Sequence, residues 1–280
     1  MRKTRRTGID KLHTLLFGQD LRITEGEPYC QVRPFDFAAD FEPRHLTKPL
    51  PAPAGEVFDI RTFGADPAAE DNAVAVQQAV DAAAKVGGTV LVDGGSYPMS
   101  TVELRSGVTL FITPGSFLAA RPDGKGFRHK ALLYGRDLTN VTLTGGGGLE
   151  GEGHRFGLRP ALPQNCTKPA NLIDVIEMRR TYRAQLRFAH PSKYGGLLCL
   201  EQCQGVCIHH FLFQNSAHWT CRLQMCRDVR IEYAAIRNNR NVANADGFDI
   251  VGGQDLIFRH CMVSTADDGF VFKHAVWLGS

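Results

Sequence analysis

The sequence predicts an all-β chain wound as a right-handed parallel β-helix, a solenoid with an N-terminal capping helix. Three observations carry that reading. First, Ala245-Asp246-Gly247-Phe248 is echoed by Asp267-Asp268-Gly269-Phe270, and the matching aspartates Asp246 and Asp268 stand 22 residues apart (268 − 246). One turn of such a solenoid uses about that many residues. Second, a short strand phrase (small or polar, apolar, any, apolar) recurs along the chain. Third, an amphipathic helical pattern precedes the first of these phrases and can lie across the open end of the stack.

Taken in order, residues 1–55 read as a leading segment and linker, with Pro43, Pro49, Pro51 and Pro53 marking the approach to the main domain. A strand is expected around Val57–Ile60. A helix is expected from Asn72, as N-cap, to about Lys85, with Gly87-Gly88 ending it. Ala73, Val76, Val80 and Ala83 supply its apolar stripe. Thr89–Val92 is a short β run closed by Asp93-Gly94-Gly95. The strand phrase then appears as Gly107-Val108-Thr109-Leu110, Asn140-Val141-Thr142-Leu143, Gly205-Val206-Cys207-Ile208, Asp228-Val229-Arg230-Ile231 and Asp255-Leu256-Ile257-Phe258. Its offsets are 33, 65, 23 and 27 residues (from 108, 141, 206, 229 and 256). The 65 leaves room for an intervening coil plus an excursion across 150–190. Spacing of this kind fits stacked coils better than a sandwich, whose turns fall every 8–12 residues or so. Gly145–Gly148 reads as a tight turn between coils, since no Lys-Ser/Thr follows to make a phosphate loop. The domain, 56–280, reads as truncated at its C-terminal end, with the last coil uncapped or covered by a partner.

Composition narrows the function. Among 280 residues, 43% are hydrophobic and 29 are glycine, enough for a real core in a turn-rich architecture. A net charge of +3 argues against nucleic acid as partner and is compatible with an anionic polysaccharide. No apolar run is long enough to span a membrane. Met1-Arg2-Lys3-Thr4-Arg5-Arg6 imitates the start of a signal peptide, but Asp10, Lys11 and His13 break the apolar stretch that should follow. The expected location is cytoplasmic, or secreted if a leader is missing. The eight cysteines, at 30, 166, 199, 203, 207, 221, 226 and 261, include no Cys-x-x-Cys pair, and His209 and His210 lack a zinc-ligand register. They read as small reduced thiols in the coil interior, with no metal and no cofactor called for.

The carboxylates carry the chemistry. If Asp246 and Asp268 stack in neighbouring strands, they sit roughly 5 Å apart along the ladder, with Asp267 beside them. Asp-Gly also marks plain turns, and the same carboxylates suit calcium. A recurring pair one coil apart points instead to a site. Like charges at close range raise one pKa and leave the other low. That split supplies the acid and the base that inverting glycoside hydrolysis requires.

Asn244-Ala245-Asp246-Gly247-Phe248-Asp249-Ile250 and Ala266-Asp267-Asp268-Gly269-Phe270-Val271-Phe272-Lys273 resemble the central signature of glycoside hydrolase family 28, the polygalacturonases and their rhamnogalacturonan-cleaving relatives. Asn215-Ser216-Ala217-His218-Trp219 resembles the family's Asn-Ser-Pro-x-Trp stretch. Phe63-Gly64-Ala65-Asp66 with Asp71-Asn72 and Gln77 resembles its opening segment, which other β-helix proteins share. The resemblance implies Asp267 as general acid, Asp246 and Asp268 as the residues that position and deprotonate the water, and Asn244 as a hydrogen-bonding support. Lys273 matches a lysine that often follows the aspartate pair. Asn244, Lys273 and His218 are the candidate substrate-binding residues. The implied substrate is an acidic pectic polysaccharide or oligosaccharide. Ala245 and Ala266 depart from the usual Thr and Gly. The family's later Gly-His-Gly and Arg-x-Lys do not follow within these 280 residues, and His274 lies too close to the aspartates to replace that histidine. Little activity is therefore expected of this chain alone.

Trp219 could stack on sugar, though a buried corner aromatic is the commoner use. Arg179, Arg180, Arg183 and Arg187 could hold carboxylates or form an exposed basic face. Two other readings stay open. A polysaccharide lyase on the same architecture would use calcium and an arginine base. A non-catalytic β-helix would only bind carbohydrate.

Overall fold

A computed structural model describes residues 50–155, 195–239, 242–265 and 267–274. Most of the leading segment, Cys30, Cys166 and the four arginines at 179–187 lie outside the described residues. What is described is a right-handed parallel β-helix. The strands are β1 (Val57–Asp59), β2 (Thr89–Val92), β3 (Ser96–Met99), β4 (Val102–Glu103), β5 (Thr109–Ile112), β6 (Phe117–Ala120), β7 (Ala131–Arg136), β8 (Thr139–Thr144) and β9 (Gly148–Glu150). They continue as β10 (Gly196–Glu201), β11 (Gln204–Gln214), β12 (Cys221–Gln224), β13 (Arg227–Arg237), β14 (Phe248–Val251), β15 (Gln254–Arg259), β16 (Met262–Ser264) and β17 (Phe270–Lys273). Every strand pairing among them is parallel. One face of the coil runs β4-β7-β10-β12-β14-β17. The long strands β11 and β13 bend, so that their first halves extend the row β2-β5-β8 and their second halves extend β3-β6-β9.

The recurring phrase has a backbone cause. Its leading residue takes a left-handed conformation at each coil corner: Gly107 (φ 75°), Asn140 (56°), Gly205 (69°), Asp228 (47°) and Asp255 (58°). Gly, Asn and Asp tolerate that conformation best. The two apolar residues that follow point inward and stack coil on coil, as Val141 on Val206, Val206 on Val229 and Val229 on Leu256. A second left-handed row, His210, Tyr233 and His260 (φ 49°, 52° and 51°), stacks its rings at 4.9 and 4.8 Å and turns β11, β13 and the segment after β15. β8 pairs directly with β11, so no coil stands between those two strands, and β9 and β10 are joined through residues outside the described ones. Gly145–Gly148 likewise joins two strands of one coil, not two coils. A Cβ on Gly145 or Gly147 would stand 2.3 Å from a backbone oxygen of the preceding coil.

Helix α1 (Ala73–Ala84) covers the first coil with Ala75, Val76, Ala79, Val80 and Ala83, all buried. Asn72 stands at the N-cap position but its side chain does not cap. It is buried, accepting from Asp66 N (2.8 Å) and donating to Pro98 O (3.0 Å). Asp71 instead accepts from Ala73 N at 3.0 Å. Gln77 fastens the helix to the edge strand β4, its amide donating to Glu103 O (2.9 Å) and accepting from Glu103 N (2.8 Å), as a neighbouring strand would. At the other end Phe270 and Phe272 are 41% and 76% exposed, whereas Phe248 one coil earlier is fully buried. Cys203, Cys221 and Cys226 belong to the interior. Cys199 does not: it faces outward with Ala131 and Tyr134, and Cys207 is also only half-buried. Outward residues on strands alternate with inward ones, and the cysteine spacing alone did not assign the face. Among the described residues no helix is long and apolar enough to cross a membrane.

Candidate active site

The site lies on the face built from β10, β12, β14 and β17. Phe248 pairs with Phe270, and the backbone bond from Gly247 N to Asp268 O (2.8 Å) continues that register one step back. Asp246 and Asp268 therefore sit side by side on adjacent coils, with Asp267 next in the chain. Asp267 and Asp268 are exposed, whereas Asp246 is only 6% exposed. Its Oδ1 is fully buried and meets no hydrogen-bond partner among the described residues. Burial, reinforced by Asp249 and Asp267 and opposed by Lys273, pushes the Asp246 carboxyl up to about 7. Burial and like charges both disfavour the ionised form.

Three residues that sequence reasoning missed shape this site. Asp249 alternates outward between the interior Phe248 and Ile250, yet is fully buried beneath Lys273, whose Nζ lies 2.5 Å from its Oδ1. Burial raises Asp249 despite that hydrogen bond. The Lys273 ammonium also sits 3.3 Å from the centroid of the Trp219 ring. Lys273, expected to bind substrate, is thus held by Asp249 and Trp219. Asn238 and Thr220 are the other two. Asn238, buried, accepts from Ser216 N (2.9 Å) and donates to Thr220 Oγ1 (2.7 Å) and Ala245 O (3.1 Å). Thr220 Oγ1 donates to Asp246 O at 2.6 Å. Together they hold the turn that presents Asp246. Asn244, for which a hydrogen-bonding role is expected, is exposed in the same turn with φ 56°. A signal was available: Asn238 follows Asn215 by 23 residues, the same interval as Val206 to Val229.

On the upstream side, Lys130, Gly195, Gly196, Leu198, Cys199, His218, Trp219 and Arg222 line a cleft of about 330 Å³. His218 thus lines a cleft. Trp219 is half-buried, a wall with Lys273 on its ring rather than a buried corner. Among the described residues no group of three or more His, Cys, Asp or Glu is arranged to hold a metal ion.

Comparison with known proteins gives this geometry a context. No family model matches the chain. Over 239 residues it is 23% identical to the polygalacturonase QRT2 of Arabidopsis thaliana, a match covering 80% of this chain and 47% of that protein. The chain thus spans about half the length of the curated relative it matches. Among solved structures it is similar to a family 28 exopolygalacturonase of Yersinia enterocolitica (TM-score 0.61, 20% identity, 78% of this chain and 45% of that one). It is also similar to a polygalacturonase of Erwinia carotovora (TM-score 0.62, 15% identity, 82% and 61%). What the chain shares with these polygalacturonases is the fold, a right-handed parallel β-helix.

Proposed function

We propose that this chain carries the acid and base of an inverting glycoside hydrolase acting on an acidic pectic polysaccharide. The observation that supports it is the register of β14 and β17, which sets Asp246 beside Asp268 and Asp267 on one face. In this reading Asp267 gives its proton to the oxygen leaving the sugar. Water adds to the anomeric carbon from the opposite face as the C–O bond breaks, and its proton passes to Asp246 and Asp268. Burial and the neighbouring carboxylates push Asp246 up to about 7, which favours its uptake of the water's proton.

The test is NMR of the earliest product that a longer polypeptide containing this segment forms from polygalacturonate. Inversion at the anomeric carbon supports the reading, and retention rules it out. An unsaturated, ultraviolet-absorbing product would identify a lyase instead.

A further inference from the structure

We propose that Cys203 and Cys226 are a redox pair, which hydrogen peroxide closes into a disulfide between adjacent coils, locking the coil beside Asp246. Neither thiol has a part in the hydrolase reading.

Strand register gives each described cysteine its neighbours. Cys199 pairs with Tyr134 and Arg222, Cys207 with Thr142 and Arg230, and Cys221 with Leu198 and Phe248. Cys261 precedes Met262, which pairs with Ala235, so it neighbours Ala234. Only Cys203 and Cys226, among the described cysteines, have each other. Glu201 pairs with Gln224 and Gln204 with Arg227, and the constant offset of 23 residues (224 − 201, 227 − 204) carries through the corner between them. Backbone bonds from Gln202 N to Gln224 O (2.8 Å) and from Arg227 N to Cys203 O (2.9 Å) bracket the pair. Neighbours one ladder step apart stand about 5 Å apart, inside the roughly 4.4–6.8 Å between Cα atoms that a disulfide spans. Leu138 and Gly253 occupy the same corner one coil before and one coil after, so no third thiol competes.

Both side chains belong to the interior, and both are free thiols. Cys203 Sγ donates to Glu201 O at 3.3 Å. Cys226 Sγ reaches back to Leu200 O at 3.4 Å, a carbonyl of the coil that holds Cys203. The hydrogen bond between the two thiols holds Cys203 below the ordinary thiol value and pushes Cys226 above it. The thiolate is the nucleophile, so Cys203 attacks first. Its sulfur takes one peroxide oxygen: the S–O bond forms, the O–O bond breaks, and the departing hydroxide leaves as water with the proton that Cys203 gave up. Cys226 sulfur then attacks the resulting sulfenic acid. The S–S bond forms, the S–O bond breaks, and the second hydroxide takes the Cys226 proton. Two thiols and one peroxide give one disulfide and two waters. Hydrogen peroxide is little larger than water, which suits an enclosed pair better than a bulky disulfide reagent.

The cross-link joins residues 23 apart (226 − 203). Between them lie Ser216 and Thr220, which bond to Asn238 and to the Asp246 carbonyl in holding the Asp246 turn. A disulfide there restricts the unfolded chain more than the folded one, so oxidation should make this coil harder to open.

The 280-residue chain, kept reduced during purification, should be treated with hydrogen peroxide and digested without reductant. A peptide pair linked through Cys203 and Cys226 is expected, with Tm raised by at least about 5 °C and both changes reversed by dithiothreitol. Cys226→Ala should abolish both changes, and where that variant does not fold, the peptide map and melting of the parent decide. Both thiols still open to alkylation under denaturant, a link from either to another cysteine, or oxidation of either to the sulfonic acid without a link would overturn the pair. A Cys203–Cys226 link that leaves Tm unchanged or lowers it would overturn the lock.

Discussion

The turn before β14 buries Asp246 against other carboxylates, which pushes its carboxyl up to about 7. Asp267, one coil later, stays exposed. Two predictions belong at this scale. In a longer polypeptide that contains this segment and hydrolyses polygalacturonate, Asp267→Asn should lower that hydrolysis by 10²-fold or more, since an amide cannot deliver the proton, roughly the value of a positioned acid. Its stability should stay within about 0.5 kcal/mol of the parent, as for other exposed substitutions. Kinetics and a urea melt on the same preparation check both parts, and an active Asp267→Asn would remove that residue from the chemistry. Asn238→Ala should cost about 1–3 kcal/mol, because it strands the buried Ser216 N–H and removes the donor to Thr220 Oγ1 and Ala245 O. A urea midpoint identical to the parent's would show that water replaces the amide.

At the scale of elements, each coil is set by a corner and a pair of inward residues. The corner demands a left-handed residue, and the inward pair supplies packing that no single coil completes. Asp228 is such a corner, at φ 47°. Asp228→Gly should be nearly neutral. Asp228→Val should destabilise by about 1–2 kcal/mol, the cost of the left-handed conformation for a side chain without a local hydrogen bond. Thermal melts of the two variants decide it, and equal melting would deny that backbone conformation explains the phrase. Gln77 shows how a helix ends a sheet, since one side-chain amide supplies both the donor and the acceptor that β4 would otherwise lack.

For the whole molecule, two sets of carboxylates pull stability in opposite directions with pH. Asp246 and Glu150 are both pushed up to about 7, Glu150 also chiefly by burial. Their folded pKa values exceed the ordinary ones, so the folded state binds more protons from about pH 4 to 7 and stability falls as pH rises through that window. Asp59, held low chiefly by its hydrogen bond from Arg61, works the other way. So does Asp71, where backbone N–H groups of Ser100 and Ala73 outweigh burial. Their contribution is present above the ordinary carboxylate range and is lost on acidification. Tm should therefore peak in mildly acidic buffer and decline toward pH 8. Asp246→Asn should flatten the decline and stabilise at pH 8 by roughly 1–3 kcal/mol, at about 1.4 kcal/mol per pKa unit. A melting series that is flat or rising from pH 5 to 8 would contradict this assignment.

The sequence by itself determined the coil, because a coil is local. Gly, Asn or Asp at a corner followed by alternating apolar residues is a backbone preference and a burial pattern written within four residues. Repeating it at one-coil spacing leaves stacking as the way to bury the inner face. The same logic made the alignment of Asp246 with Asp268 legible, since residues one coil apart become neighbours. The tertiary structure alone decided what depends on outward faces and on side-chain reach. The 65-residue interval could hold one coil or two until β8 paired with β11. Asp249 lies buried beneath Lys273, a contact reached diagonally across β14 and β17. Asn238 and Thr220 hold the Asp246 turn through hydrogen bonds whose partners are as many as 26 residues away. Such contacts have no period and no local preference to betray them, so only the folded chain brings them together.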